Sequence, residues 1–212
     1  MLKKLQAGTG LLFAAFVAVH LTNTWLASLG AAAYDSVQQY LRVIYQFPPV
    51  EVLVLAALAT HLLVGLLRIW QEPRRVLNLR ARLHRYAGFF LALVIGGHIL
   101  AVRGSSWFYD VYPEFAGLAY SVSAVPGYFY PYYFLLGVAG FYHALNGVAI
   151  AAPRLGWSIS VPTPTLRLAT SSAAVLTLSA LMGLGGVWTD VGEPAQSEFA
   201  QLARDIFGDL AP

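Results

Sequence analysis

The chain has five histidines and no cysteine, which already narrows the chemistry it can perform. Disulfides, thiolate metal sites, iron–sulfur clusters and thioether-linked cofactors are excluded. His20, His61, His98 and His143 each stand inside a separate long apolar run. A neutral imidazole is the commonest metal ligand among side chains, and ionisable groups within apolar spans are costly and usually functional. A single histidine of this kind is readily explained as a packed interhelical hydrogen bond. Four of them, one per run, are much harder to explain that way. The fifth, His84, lies between Arg82 and Arg85, where an interfacial position is expected.

The elements that must position these residues follow from composition. Of 212 residues, 58% are hydrophobic and 11% charged, against about 25% charged in a soluble domain. Mean hydropathy is +0.63. Too few polar residues remain to cover a globular surface, so a water-soluble enzyme, a disordered chain and a nucleic-acid-binding protein are all excluded. A membrane-spanning helix needs roughly 20 apolar residues, and five segments satisfy this: 5–29, 50–70, 83–102, 128–152 and 166–188. The chain is therefore expected to be a single all-α integral membrane domain over 1–212. Placing the N-terminus inside puts Lys3, Lys4, Arg68, Arg74, Arg75, Arg80, Arg82, Arg85, Arg154 and Arg167 on the cytoplasmic side, as the positive-inside rule requires. Glu72 is the one acid on that side, and the C-terminus falls outside. Formal charge is +3.

The outer connections carry more pattern. Val37, Tyr40, Leu41 and Ile44 predict a short amphipathic surface helix over 34–46. Trp107, Phe108, Tyr109, Tyr112, Phe115 and Tyr120 make the stretch 104–127 an aromatic loop, read as an interfacial belt or as a lid over a lipophilic ligand. Phe199, Leu202, Ile206 and Leu210 predict a further surface helix within an outer tail, 189–212.

Two of the spans repeat the other two. At an offset of 78, Gly10 aligns with Gly88 and His20 with His98; at an offset of 82, His61 with Gly65 aligns with His143 and Gly147. A helix pair has been used twice, in units 4–75 and 82–155, as happens in other membrane folds. Counted from the basic inner boundary at ~1.5 Å per residue, His20 and His98 lie roughly 24 Å up, whereas His61 and His143 lie about 15–18 Å up. Each level thus offers two imidazoles. Two neutral imidazoles suit a six-coordinate haem iron, while zinc normally collects four protein ligands at one point. The expectation is two b-type haems, the outer on His20 and His98 and the inner on His61 and His143. The second ring nitrogen would donate to the carbonyl one turn back, at Phe16, Ala57, Val94 or Ala139. Gly65 and Gly147, four residues past their histidines, would leave room for the porphyrin.

The features Thr9-Gly10 with His20 ten later, Gly88 with His98 ten later, and Tyr142-His143-x-x-x-Gly147 closing on Pro153-Arg154-Leu155-Gly156 are similar to a known pattern. Over residues 5–188 the sequence resembles the dihaem cytochrome b subunit of succinate:quinone oxidoreductases and fumarate reductases, the single-chain five-helix kind. The resemblance implies a dihaem four-helix bundle from the first four spans in a cytoplasmic (inner) membrane. It implies electron transfer to or from a quinone, menaquinone or ubiquinone, and the axial-ligand pairs named above. It also implies two cytoplasmic partners, an FAD-bearing flavoprotein and an iron–sulfur subunit, with Arg74–Arg85 as the docking stretch. Some dihaem fumarate reductases carry a proton-conducting glutamate two residues before the fourth ligand; here Phe141 stands there. The tail after Trp188 has no counterpart in that family.

A quinone needs an apolar slot, a polar group at its carbonyls and a nearby haem. The outer candidates are Asn23, Glu51, Trp107, Tyr109 and Asp110, with Arg103 either there or on a haem propionate. His84 and Arg85 are the inner rivals. Two other readings stay open: the cytochrome b anchor of a hydrogenase or formate dehydrogenase, and a haem or small-molecule transporter, which the repeat would serve equally well.

Overall fold

A computed structural model describes residues 1–71 and 77–208. Glu72, Pro73, Arg74 and Arg75 of the basic turn, and Leu210 of the tail, lie outside the described residues. Among those described, all regular structure is helical: α1 (Leu2–Trp25), α2 (Ala31–Tyr45), α3 (Pro48–Gln71), α4 (Leu79–Ile99), α5 (Ser105–Tyr109), α6 (Phe115–Ala124), α7 (Pro126–Ala151), α8 (Thr163–Leu184) and α9 (Glu198–Phe207). Five stretches are long and apolar enough to cross a membrane: Leu2–Leu29, Pro48–Gln71, Leu79–Tyr109, Pro126–Leu155 and Thr163–Leu184. Large apolar side chains such as Leu63, Trp70, Leu93 and Leu168 stand outward along them. In water this surface would be prohibitive; against lipid, with all backbone groups paired inside helices, it is the expected arrangement.

Local sequence explains most of the element ends. Pro48 opens α3, where its missing N–H costs nothing, and Glu51 sits in the first turn facing the positive end of the helix dipole. The Asn78 side-chain oxygen accepts from the Ala81 amide at 2.9 Å and so caps α4. Ser197 caps α9 by accepting from the Ala200 amide.

The third span departs from expectation. It does not stop at Val102 but continues through a π turn, Leu100–Gly104, into α5. Arg103, Trp107 and Tyr109 therefore ride on a helix and not on a loop. The Gly104-Ser105-Ser106 stretch looks like a breaker, yet the serine hydroxyls donate back to the Val102 and Arg103 carbonyls, which satisfies them within the helix. The aromatic stretch beyond contains α6, which the sequence reading missed. The fifth span ends at Leu184, four residues earlier than expected, where Gly186 takes a left-handed φ of 76°.

The chain forms two compact units. The first comprises 1–21, 41–92 and 138–173. Within it Arg80 Nε donates to Asn146 Oδ1 at 2.5 Å and Arg80 Nη1 to the Val161 carbonyl at 2.8 Å, tying α4 to α7 and to the segment before α8. The Tyr142 hydroxyl donates to the Arg80 carbonyl.

The second unit comprises 22–40, 93–137 and 174–212. Its core gathers Ala27, Tyr34, Phe115, Ala119, Val122, Ala180, Leu181 and Leu184. Trp25 Nε1 donates to Thr177 Oγ1, and Trp188 Nε1 to the Ser28 carbonyl. Asp35 of α2 accepts from the Phe115 amide, so the predicted surface helix caps the unpredicted one.

Candidate functional site

His61 and His143, on α3 and α7, come together in the first unit with ring centroids 6.1 Å apart and planes at 87°. Their surroundings repeat. His61 Nδ1 lies 3.1 Å from the Gln6 carbonyl, and His143 Nδ1 lies 3.1 Å from the His84 carbonyl. A carbonyl only accepts, so each Nδ1 carries the proton and each neutral ring keeps its lone pair on Nε2. Nε2 is then the atom free to ligate a metal. Gln6 and His84 are related by the same offset of 78 as Gly10 and Gly88. The expected tautomer is thus set by the neighbouring helix, and not by Ala57 or Ala139 one turn back, whose carbonyls are already committed to the helix ladder.

Two glycines make this approach possible. A Cβ at Gly10 would sit 2.7 Å from His61 Cε1, and one at Gly88 would sit 2.9 Å from His143 Cε1. Only glycine lets each ring lie this close against the neighbouring helix. Gly65 and Gly147, singled out from sequence for porphyrin clearance, face the Gln6 side chain and the His84 ring respectively. Gln6 Oε1 also accepts from Arg68 Nη1.

His84 is more than an interfacial residue. Its ring lies parallel to His143, with centroids 4.1 Å apart and planes within 5°, and its buried Nδ1 has no hydrogen-bond partner among the described residues. His20 stacks on Phe16, which meets Tyr45 edge-on. His20 belongs to the first unit and His98 to the second. Among the described residues no group of three or more histidine or carboxylate side chains converges as a metal site.

The remaining candidates fall in the second unit, apart from Glu51 in the first turn of α3. Asn23 is buried; its Nδ2 donates to Gln38 Oε1 at 2.5 Å, and its Oδ1 has no partner among the described residues. Arg103 donates to Ser106 and lies 5.2 Å above the Trp107 ring, a cation–π contact. Trp107 and Tyr109 are exposed at the end of α5. Asp110 follows them in a left-handed conformation with φ 57°.

Gln6, the receiving role of Gly10 and Gly88, and the His84 stack are not apparent from the sequence. The 78-residue offset already paired Gln6 with His84, but no local pattern says which helix face meets which. No family model, no characterised protein and no solved structure matches this chain.

Proposed function

We propose that this protein is a haem-bearing, quinone-reactive membrane anchor of an electron-transfer complex of the succinate:quinone oxidoreductase or fumarate reductase kind. The observation that supports it most is the His61–His143 pair, with each Nδ1 committed to a carbonyl and each Nε2 left over. The two rings lie with centroids 6.1 Å apart, and these are the residues that would hold a haem iron. Bound haem supplies one-electron redox chemistry. The protein residues hold and orient it.

In this reading His61 and His143 would hold one haem, and His20 and His98 a second. The Gln6 and His84 carbonyls fix the tautomers and ring directions of the first pair, and a carbonyl on the second nitrogen raises ligand basicity. Gly10 and Gly88 admit the rings. The quinone is placed against the second unit, where Asn23 Oδ1 offers a buried, unused acceptor to a quinol hydroxyl. Trp107, Tyr109, Asp110 and Arg103 belong to the same unit, and Glu51, in the first unit, is a further candidate for the quinone reaction. Soluble flavoprotein and iron–sulfur partners would dock at the basic stretch 74–85.

The transporter reading shares the repeat but needs no closed ligand pair. A reduced-minus-oxidised spectrum of the purified protein separates the two. Sharp b-type bands are expected; a featureless spectrum from protein made with ample haem would sink the proposal.

A further inference from the structure

A pocket of about 380 Å³ opens in the first unit, at the level where α4 begins and α7 ends. Its walls are largely apolar, with Ala149, Ile150, Pro153 and Ile159 among them, and Arg80 and Asn146 are its polar members together with Asn78 and Ser160. Its lining includes none of the histidines, and Asn78, Arg80 and Ala81 of that lining also belong to the stretch 74–85 proposed above for partner docking.

Two features of the pocket call for a negatively charged acceptor. The first is Arg80. Its two hydrogen bonds go to neutral oxygens, Asn146 Oδ1 and the Val161 carbonyl, and among the described residues no carboxylate pairs with it. A cation at the end of a membrane span, half-buried and held by neutral groups alone, gains most from an anion. The second is Asn146. The residue is fully buried, and among the described residues its Nδ2 has no partner. The orientation of this amide is not arbitrary. A guanidinium has only donors, so Oδ1 must face Arg80 and Nδ2 must be the orphan. An oxyanion seated on Arg80 supplies both a counter-charge and the missing acceptor.

We propose that this pocket binds a phosphate group, as carried by a lipid headgroup or as the free ion. The level suits the first source, since span ends lie where lipid phosphates lie and the apolar walls would accept the adjoining glycerol and upper acyl chain. Arg80 would take the phosphate through the guanidinium edge left by its two existing bonds. Asn146 would donate from Nδ2 while keeping its bond to Arg80. Basic pockets between membrane helices recognise anionic headgroups in this manner.

The test uses the full-length protein, delipidated in detergent. Phosphatidylglycerol, the phosphate-free analogue diacylglycerol and inorganic phosphate are each added, and bound mass is read by native mass spectrometry. Wild type should retain one phosphatidylglycerol roughly tenfold more tightly than Arg80→Gln or Asn146→Asp, and should not retain diacylglycerol. Asn146→Asp is the decisive variant, because its carboxylate supplies the anion internally and keeps the Arg80 link, so helical content and melting should be preserved while binding is lost. Displacement of the lipid by millimolar inorganic phosphate identifies the free ion as the occupant; no displacement identifies the headgroup; both support a phosphate site. Equal retention by wild type and Asn146→Asp, equal retention of diacylglycerol, or loss of a haem band in Asn146→Asp would overturn it.

Discussion

Replacing Gly10 or Gly88 by alanine tests whether the imidazole pair is held in place by the neighbouring helices. In the middle of a helix, Gly→Ala ordinarily stabilises by roughly 0.5–1 kcal/mol. At these two positions the new methyl carbon meets a ring carbon at 2.7 Å and 2.9 Å, whereas ordinary contact begins near 3.4 Å. The His61 ring must therefore retreat by about 0.7 Å and the His143 ring by about 0.5 Å. Each Nδ1–carbonyl distance is already 3.1 Å, so a retreat of that size stretches the bond past useful length. Overpacking of this sort costs about 1–3 kcal/mol, which cancels the helix-propensity gain and reverses its sign. A cofactor ligand displaced by ~0.5 Å also leaves its productive geometry. Gly8, Gly96 and Gly97 are internal controls, since a Cβ there meets nothing within 4 Å. Thermal melting followed by dichroism, with haem content by absorbance, reads both effects. Gly10→Ala and Gly88→Ala should melt lower and bind less haem, while Gly8→Ala melts unchanged or higher. If all three alanine variants keep wild-type melting and haem, the rings are not seated as argued.

Other substitutions probe the remaining assignments. His61→Ala or His143→Ala should remove one haem and leave a spectrum from the other, while His20→Ala or His98→Ala should do the converse; four indistinguishable spectra would contradict pairing by level. His84→Ala should retain both haems, because the carbonyl that orients His143 belongs to the backbone, but loss of the 4.1 Å stack should shift the low-spin resonance of one haem. His84→Phe, which restores a stacking ring, should reverse most of that shift, and an identical resonance in all three proteins would remove His84 from the site. Glu51→Gln and Trp107→Ala should slow quinone reduction or quinol oxidation with both haem spectra intact; full quinone turnover in both would move the quinone elsewhere, with His84 and Arg85 as the next place to look.

Much of this molecule was legible in its sequence because lipid imposes a simple rule on length and polarity. The five spans and both predicted surface helices follow from apolar run length and from periodicity, as in Val37, Tyr40, Leu41 and Ile44. Span ends were harder to read. Serines at 105 and 106 look like helix breakers, and only their side-chain bonds back to the helix reveal that the span continues. The histidines announced themselves because an imidazole in an apolar run is conspicuous. Their neighbours did not: Gln6 acts through its carbonyl, which every residue possesses, and Gly10 and Gly88 act through the side chain they lack. The Arg80–Asn146 contact joins residues 66 positions apart and breaks the repeat, so the internal symmetry that exposed the histidines gives no hint of it.

Four histidines on four helices are proposed to hold two haems in this chain. Pyridine haemochrome analysis of protein made with excess haem, set against amino-acid analysis of the same sample, measures it directly. Two non-covalent b-type haems per chain are expected, extractable by acidic solvent because no cysteine can anchor them. A value of zero, or a single haem that persists in every one of the four His→Ala variants, would contradict it.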